Sequence, residues 1–265
     1  MKKILLFLFL AISAFAGTLI EFEPGCHYVN KPIFIEKDDV TIDGKGCILQ
    51  LSKHANCPVI VIGERSLKPK KTVTNVHIKN IIIDGGKDYQ DSEYMTGMGY
   101  LRNNCITVRG AENVYLDNVV TANSMSGGIV CELKSRNILI DGVNSYGNVY
   151  DGIAICESTG VYVMNSILQF NNAAGLSMDW GADMNRFKNI TLAYNLDLAI
   201  FMRDSNSNIF NDIDTGNGGV FVGLRDPDNK KTGCFNNTFL FINPPVMIHN
   251  NEKCLNNVFL LKVKK

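Results

Sequence analysis

Three charged residues in the second half of the chain, Asp151, Asp179 and Arg203, carry the chemistry that the sequence suggests most directly. A carboxylate next to a guanidinium group can act as an acid/base pair, or it can bind a carboxylate group of a substrate. We therefore take these three residues as the candidate catalytic residues. The candidate substrate-binding residues are Trp180, Glu132 and His249. Trp180, the only tryptophan, could offer an apolar platform to a sugar ring.

These residues can meet only if the fold brings positions about two dozen residues apart next to one another. A short phrase of alternating apolar residues recurs along the chain and usually begins with asparagine, as in NVYLDN and NVFLLK. Its copies begin at residues 75, 113, 137, 160, 189, 208, 237 and 257, and a looser copy begins at 39. The shorter separations define a repeat of roughly 20 to 24 residues, which indicates a solenoid, and the longer ones contain an inserted loop.

The alternation within each phrase predicts a β-strand with one face in the core, and no segment has a sustained helical period. The asparagine at the first position tolerates a left-handed backbone and predicts a sharp corner, where stacked asparagines can form a ladder. A second strand follows each first strand, with inward anchor residues at Ile129, Ile153, Leu176, Ile200, Val220 and Val246. Parallel strands joined by tight corners predict a parallel β-helix.

The register of the second strands explains why the candidate residues should meet. If each anchor points inward, the residue three positions later points outward. Asp179 then stacks next to Arg203, and Asp151 lies at the corner before this strand. The alternative is that Asp179 and Arg203 form a surface ion pair worth under about 1 kcal/mol, and that Asp151 is an ordinary turn residue. The full outward row is Glu132, Cys156, Asp179, Arg203, Gly223 and His249.

Two of the eight cysteines occupy equivalent corners of adjacent coils, in CFNNTFLF (234–241) and CLNNVFLL (254–261). Stacked residues of neighbouring strands lie about 4.8 Å apart, and a disulfide tolerates Cα separations of about 4.4 to 6.8 Å. Cys234 and Cys254 are therefore a candidate disulfide. The alternative is a pair of small buried cysteines in a core stack.

Residues 1–16 have the features of a secretory signal peptide, with a basic start, an apolar run and an Ala-Phe-Ala cleavage site. The run is too short for a membrane span, and no second hydrophobic span follows. We expect the mature chain to be exported to the periplasm, the cell surface or the extracellular space. The formal net charge is zero, so there is no basic surplus to neutralise phosphates, and nucleic acid is not an expected partner.

Two segments resemble the right-handed parallel β-helix proteins of the pectate-lyase-like superfamily. FEPGCHYVNKPIFIEKDDVTIDGKG (22–46) is similar to their N-terminal part, and NSYGNVYDGIAI (144–155) is similar to their common coil phrase. The resemblance implies a single all-β domain, a right-handed parallel β-helix of roughly eight to ten coils over residues 39–265, with a cap segment at 17–38. Its motifs are corner and core residues, so it implies the fold rather than one activity.

The polygalacturonases of this superfamily carry Asn-Thr-Asp-Gly, Asp-Asp, Gly-His-Gly and Arg-Ile-Lys in successive coils. Asp151-Gly152 matches the end of the first motif, but the aspartate pair falls on Ala173-Ala174 and the histidine on Leu198. Inverting hydrolysis needs one carboxyl group to protonate the leaving oxygen and another to activate water. The missing pair excludes that mechanism. The Asp-Pro-His-Asp run of mannuronan epimerases and the Arg-x-Pro-x-x-Arg of pectate lyases are also absent from the sequence.

A lyase or epimerase that acts on uronates stays compatible with the sequence. It needs a base that takes the proton beside the carboxylate and a cation that stabilises the enolate-like charge. Asp179 or His249 could be the base, and the cation could be Arg203, Lys134 or Arg225.

No cofactor is required by this chemistry, but calcium could assist it. Two acidic runs could supply oxygen ligands. The alternative is that these runs are solvated loops, which is the more common role of such runs. The residues concerned are Asp88, Asp91 and Glu93 in one run and Asp226 and Asp228 in the other.

Aromatic residues recur at the third position of the first strands. If they point outward, they form a stripe that binds a glycan or a partner subunit, and the alternative is a ladder covered by long inserts. The two largest inserts, 63–74 and 87–104, are long enough to wall a groove. The aromatic residues are Tyr115, Tyr162, Phe210, Phe239 and Phe259.

Together, these features predict an exported β-helix protein that acts on or binds polysaccharide, with a lyase or epimerase preferred over a hydrolase. The alternatives are a non-catalytic surface adhesin or glycan-binding β-helix and a structural β-helix of envelope maturation. The enzyme hypothesis requires that Asp151, Asp179 and Arg203 converge in one groove walled by the inserts. The stripe hypothesis requires that Phe210, Phe239 and Phe259 be exposed.

Overall fold

The fold is built almost entirely from β-strands. A computed structural model describes residues 17–226 and 232–262, and the predicted signal peptide at 1–16 lies outside the described residues. One short 3₁₀ helix, Lys87–Tyr89, lies in the insert 87–104. The strands, in chain order, are β1 (Thr18–Glu21), β2 (Cys26–Val29), β3 (Ile33–Ile35), β4 (Val40–Leu51), β5 (Ile60–Ile62), β6 (Val73–Asp84), β7 (Tyr94–Met95), β8 (Met98–Arg102), β9 (Ile106–Arg109), β10 (Ala111–Ala122), β11 (Ile129–Glu132), β12 (Arg136–Asp141), β13 (Asn144–Tyr146), β14 (Ile153–Cys156), β15 (Thr159–Gln169), β16 (Leu176–Asp179), β17 (Arg186–Thr191), β18 (Leu198–Arg203), β19 (Ile209–Asp214), β20 (Gly219–Gly223), β21 (Thr238–Asn243), β22 (Ile248–Asn250) and β23 (Val258–Leu261).

The strands alternate between two parallel sheets, and this alternation makes a parallel β-solenoid of about ten turns in a single domain. The first sheet runs β1-β4-β6-β10-β12-β15-β17-β19-β21-β23, with β2 beside β4 and with β13 beside β10 and β15. The second sheet runs β3-β5-β9-β11-β14-β16-β18-β20-β22. Strands β7 and β8 form a separate antiparallel hairpin within the insert 87–104. The parallel β-helix predicted from the repeat is therefore confirmed.

Asparagines at the corners form the expected ladder between residues 75 and 137. Asn75, Asn113 and Asn137 have left-handed backbones, with φ of 58°, 55° and 55°. The side-chain amide of Asn113 donates to Asn75 Oδ1 at 3.4 Å, and that of Asn137 donates to Asn113 Oδ1 at 3.5 Å. The corner residues thus bond along the solenoid axis as well as turning the chain.

The copies of the phrase that begin at 208 and 237 are shifted by one residue relative to this corner. Asn208 and Asn237 are fully buried. The side-chain oxygen of Asn208 accepts a hydrogen bond from the backbone N–H of Asn185, one coil earlier, at 2.8 Å. The side-chain oxygen of Asn237 accepts one from the backbone N–H of Asn208 at 2.9 Å. Because side chains alternate between the two faces of a strand, a shift of one residue moves every following side chain to the other face. These asparagines form an internal ladder rather than the exposed corner that the sequence predicted.

The hypothesis of an outward aromatic stripe is wrong for the same reason. Phe210 and Phe239 have no exposed surface and stack inside the solenoid, not beneath an insert. The ring centroids are 4.5 Å apart between Phe187 and Phe210, 4.4 Å between Phe210 and Phe239 and 4.8 Å between Phe239 and Phe259. Phe259 is partly buried against the same core. The two tyrosines of the predicted stripe lie on the unshifted, outward register, with Tyr115 45% exposed and Tyr162 half-buried.

No helix within residues 17–226 and 232–262 is long and apolar enough to cross a membrane.

Candidate functional site

A groove of about 520 Å³ lies on the outer face of the second sheet. Its floor is a row of small side chains that pair across neighbouring strands: Val130 with Ala154, and Ala154 with Ser177. The next residue in the row is Phe201, whose ring also lines the groove. The groove therefore exists because three coils carry small outward residues and the fourth carries a phenyl ring.

Asp179 joins two arginines at one side of the groove. Arg203 donates from Nε to Asp179 Oδ1 at 3.1 Å and from Nη2 to Oδ2 at 2.6 Å, which is a two-point pair. Arg225 donates from Nη2 to Asp179 Oδ2 at 2.5 Å. The hydrogen bonds to Asp179 raise the pKa of Arg203. Since both oxygens of Asp179 are engaged by guanidinium groups, this carboxylate is suited to positioning the arginines rather than to accepting a proton.

Trp180 packs against the second of these arginines. The guanidinium carbon of Arg225 lies 3.9 Å from the centroid of the indole ring, which is a cation–π contact. The indole is 52% exposed, and the backbone N–H of Trp180 donates to Asp179 Oδ1 at 2.9 Å. Trp180 thus holds Arg225 over the groove, and the face of the indole turned toward Arg225 is occupied.

Asp151 lies at the other side of the groove, before the start of β14. Its Oδ2 accepts a hydrogen bond from the hydroxyl of Ser177 at 2.6 Å, and its Oδ1 accepts one from the backbone N–H of Ala174 at 2.9 Å. Burial raises the pKa of Asp151, and the two hydrogen bonds oppose this rise only in part. Ser177 and Asp179 lie two residues apart on one face of a strand, about 6 to 7 Å between Cα atoms. The carboxyl group of Asp151 and the Asp179–Arg203 pair are therefore within the reach of one sugar ring.

Glu132 contributes a second carboxyl group with a shifted pKa. Burial raises its pKa, while the charge of Arg109 works in the opposite direction. Arg109 is fully buried, and its Nε lies 3.3 Å from Glu132 Oε1. The approach lacks hydrogen-bond geometry, since within the described part of the chain neither Nε nor Nη1 of Arg109 has a hydrogen-bond partner. Burial lowers the pKa of Arg109.

Cys156 lies in the outward row between Glu132 and Asp179 and also lines the groove. Burial, followed by the charges of Asp179 and Glu132, raises the pKa of its thiol to about 12. A thiol of this kind holds very little thiolate near neutral pH, so Cys156 is a poor nucleophile.

The insert 87–104 closes the groove on the side of Asp151. Arg102 from this insert and Tyr150 both line the groove, and the guanidinium carbon lies 5.1 Å from the phenol ring centroid. Glu93 binds Arg102 at 3.2 Å. A hydrogen bond to Glu93 is the main cause that raises the pKa of Tyr150. The other long insert, 63–74, supplies none of the described lining residues.

His249 does not lie in the outward row that the sequence predicted. Val220 pairs with Ile248 rather than with Val246, so the last anchor is two residues later than expected. His249 consequently pairs with Phe221, and the two rings stack at 5.0 Å with an angle of 3°. Phe221 stacks in turn on Phe201 at 5.3 Å. His249 is thus the exposed end of an aromatic stack that begins in the groove wall.

A glycine makes room for this stack. A Cβ atom added to Gly223 would lie 2.5 Å from Cε1 and Cζ of Phe221, although the backbone of Gly223 is not left-handed. The ring of Phe221 therefore lies across residue 223, and it continues the stack that starts at Phe201 in the groove.

The structure brings most of the predicted site together. Asp151, Asp179, Arg203, Trp180 and Glu132 all line the same groove, whereas His249 and Lys134 are not among its described lining residues. Sequence reasoning missed four lining residues that contact the candidates or close the groove. They are Ser177, Phe201, Tyr150 and Arg102. The residue that directly follows each inward anchor also points outward, and this rule could have identified Ser177 and Phe201 from the sequence.

The acidic runs considered for calcium have other partners. Asp91 accepts hydrogen bonds from His54 at 2.8 Å and from Asn56 at 3.2 Å, and Glu93 binds Arg102. Among residues 17–226 and 232–262, no group of three or more acidic, histidine or cysteine side chains is placed to hold a metal ion. Asp228 lies outside the described residues.

Cys234 and Cys254 stack in adjacent coils, as the repeat predicted. The backbone N–H of Cys234 lies 3.2 Å from the sulfur atom of Cys254, and both residues are buried. Burial raises the pKa of the Cys234 thiol to about 12. Both thiols are free in the structure, and the disulfide stays a prediction.

Comparison with known proteins supports the fold and goes no further. No protein-family model matches the chain, and no curated protein matches its sequence. Among solved structures, the surface adhesin PfbA of Streptococcus pneumoniae is similar with a TM-score of 0.66 and 12% identity, over 90% of this chain and 68% of that chain. The pre-mature bacteriophage phi29 gene product 12 is similar with a TM-score of 0.62 and 16% identity, over 85% of this chain and 30% of that one. Geobacillus virus E2 ORF18 is similar with a TM-score of 0.61 and 13% identity, over 87% of this chain and 50% of that one.

The chain thus spans about a third of the phi29 protein and half of the Geobacillus virus protein. At such low identity the likeness shows a shared parallel β-solenoid and no shared activity. The resemblance to parallel β-helix proteins is confirmed at the level of the fold.

Proposed function

We propose that the groove binds a uronate unit of an acidic polysaccharide and that the protein transfers a proton at the carbon beside the uronate carboxylate, as a lyase or an epimerase. One observation carries this proposal. A carboxyl group with a raised pKa, Asp151, and an arginine pair anchored on Asp179 face each other across one groove.

The arginine pair supports recognition of a carboxylate. Asp179 balances one of the two guanidinium charges, and Arg203 and Arg225 keep 30% and 37% of their side-chain surface exposed. Each guanidinium has five N–H donors, of which Asp179 takes two from Arg203 and one from Arg225. The remaining donors can hold a uronate carboxylate and stabilise the charge that develops on it when the neighbouring proton leaves.

The two carboxyl groups with raised pKa values support proton transfer at neutral pH. In elimination, Asp151 takes the proton beside the carboxylate, the electron pair forms a carbon–carbon double bond, and the glycosidic oxygen leaves with a proton from a second acid. In epimerisation, the second group returns a proton to the opposite face of the ring. Glu132 lies on the strand end opposite Asp151 and is the candidate for that second group.

A second candidate function is glycan binding without catalysis. The observation that favours it is the engagement of both oxygens of Asp179 by arginines, which removes one of the two bases that the sequence offered. Phe201, which lines the groove and begins the stack with Phe221 and His249, would serve binding equally well. This function predicts retention of the polymer with no chemical change in it.

We further propose that the protein meets its polysaccharide outside the cytoplasm. The support is the signal-peptide pattern of residues 1–16 in the sequence.

The test is incubation of the mature protein with polygalacturonate, alginate and a neutral glucan. Elimination is read from the ultraviolet absorbance of unsaturated uronate, and epimerisation from deuterium uptake beside the carboxylate in heavy water by NMR. We expect product from at least one uronate polymer and none from the neutral glucan. Asp151→Asn should abolish turnover, while Glu112→Gln, which changes a carboxylate paired with Arg136 outside the groove, should keep it. No product and no deuterium uptake from either uronate polymer would contradict the proposal.

A further inference from the structure

Two aromatic side chains outside the groove form an exposed stacked pair. Phe170 and Tyr194 are 54% and 67% exposed, and their rings lie 5.2 Å apart with an angle of 7°. The register of β15 and β17 places them at the same position of adjacent coils. Because 5.2 Å exceeds the roughly 3.5 to 4.0 Å of direct carbon contact, the rings are offset, and each leaves part of one face open.

The backbone at both residues is left-handed, with φ of 56° at Phe170 and 58° at Tyr194. This conformation is rare for a bulky residue, and asparagine or glycine adopts it at much lower cost. The two preceding coils follow that rule, since the same position holds Asn123 and Gly147. Two adjacent coils thus keep this costly conformation at aromatic residues whose rings stay in solvent, so packing into the core does not explain it.

The surroundings of the pair indicate what kind of ligand it fits. Leu196, whose backbone N–H donates to the carbonyl of Asn171 next to Phe170, adds apolar surface at 76% exposure, and the exposed amide side chain of Asn172 lies two residues after Phe170. A sugar ring has an apolar face of C–H groups and an edge of hydroxyl groups, which matches flat rings bordered by an amide and a phenol. An ion would gain little from these rings.

We infer that Phe170 and Tyr194 form a second carbohydrate-binding site, at which a pyranose ring stacks on the aromatic pair. The site lies beside the groove, because Ala174 follows Phe170 by four residues, at most about 14 Å of chain, and donates its N–H to Asp151. The link to the groove rests on the function proposed above, while binding at the pair does not. The same polymer can thus be held at the corner while one of its units occupies the groove.

The test is affinity electrophoresis of the folded protein in native gels that contain polygalacturonate, alginate or hydroxyethyl cellulose. We expect retardation in at least one gel, and at least a tenfold weaker apparent affinity for the double variant Phe170→Asn with Tyr194→Asn. Asparagine relieves the left-handed strain, so the thermal midpoint of the double variant should be equal to or above that of the wild type. A purely structural role of the pair predicts the opposite, a lower midpoint with unchanged retardation.

Met184→Asn is the matched control. Met184 is 63% exposed with φ of 56°, and it is not part of the aromatic pair. This substitution relieves the same strain and should leave retardation unchanged. Unretarded wild-type protein in all three gels, or equal retardation of the double variant, would overturn the inference. Failure of the proposed function looks different: no uronate polymer gives product, yet retardation still depends on the pair.

Discussion

The hydroxyl of Ser177 donates a 2.6 Å hydrogen bond to Asp151 Oδ2 and so joins the floor of the groove to the carboxyl group at its edge. This bond favours the ionised form of Asp151, against the effect of burial. The protonation of Asp151, and with it the pH dependence of the proposed reaction, is therefore controlled by a residue one coil later.

Ser177→Ala should raise the pKa of Asp151 further, because the donor to the ionised form is lost while burial stays. We expect the acidic limb of the pH–rate profile to move to higher pH. The measurement is turnover of the active uronate polymer across the pH range, with Ser66→Ala, an exposed serine that is not among the lining residues of the groove, as the control. An unmoved acidic limb in Ser177→Ala would show that Asp151 is not the group that titrates.

Asp151→Asn should make the folded protein more stable relative to the wild type as the pH rises. The folded-state pKa of Asp151 lies above the ordinary value of about 3.9. The buried neutral carboxyl group therefore stabilises the wild-type protein fully at pH values below the pKa that Asp151 has in the unfolded chain. This stabilisation is lost as the pH rises through the pKa that Asp151 has in the folded protein. Urea unfolding of both proteins at acidic and neutral pH checks this sign.

Glu112→Gln provides the comparison of opposite sign. The hydrogen bond from Arg136 lowers the pKa of Glu112 in the folded protein. The ionised Glu112 therefore stabilises the fold at pH values above the pKa that Glu112 has in the unfolded chain, and this stabilisation is lost as the pH falls through its folded-state pKa. The variant should therefore differ from the wild type at neutral pH and match it in acid. Equal pH dependence in Asp151→Asn, Glu112→Gln and the wild type would contradict the burial of the Asp151 carboxyl group.

Arg225→Gln should change the fluorescence of Trp180, which is the only tryptophan of the chain. The guanidinium lies 3.9 Å from the indole centroid, so its removal exposes that face of the ring to water. We expect a red-shifted emission maximum and easier quenching by acrylamide, a neutral quencher. Arg136→Gln, which removes an arginine from a surface pair outside the groove, should leave the spectrum unchanged. The same spectrum in both variants would place Arg225 away from the indole in solution.

Asn171→Ala should cost about 3 kcal/mol or more of the free energy of unfolding, because it leaves several buried partners unsatisfied at about 1 to 3 kcal/mol each. Asn171 has no exposed surface, and its side chain bonds Asn148, Asn195 and the carbonyl of Ser145. Denaturant unfolding gives the value. Asn165→Gly, which removes a member of an exposed ladder and keeps the left-handed backbone, should cost under about 1 kcal/mol by comparison.

Protein recovered from an oxidising compartment should contain a Cys234–Cys254 disulfide. The closed loop of about 20 residues predicts roughly 3 kcal/mol of stabilisation over the reduced form. Peptide mapping by mass spectrometry without reduction identifies the linked pair, and the Cys234→Ser variant is the control. Two free thiols at these positions in the exported protein would make the buried-stack alternative correct.

The repeat length was enough to predict the solenoid and the meeting of Asp179 with Arg203. Neighbouring coils of a parallel sheet lie at a fixed spacing, so residues one repeat apart become neighbours whatever the rest of the chain does. The corner ladder of Asn75, Asn113 and Asn137 and the stacked cysteines follow from the same rule. These conclusions depend only on order along the chain and on backbone geometry.

The tertiary structure decided which face each residue occupies and where the groove lies. Alternation with a period of two is the same for an inward and an outward register, so the sequence could not show the one-residue shift that buries Phe210. The two-residue shift that pairs His249 with Phe221 keeps the same alternation, so the sequence could not show it either. Whether Arg102 reaches Tyr150 depends on how the insert 87–104 folds back over the sheet, and the repeat does not constrain this. The order of residues determined the spiral, and only side-chain packing between its coils determined the site.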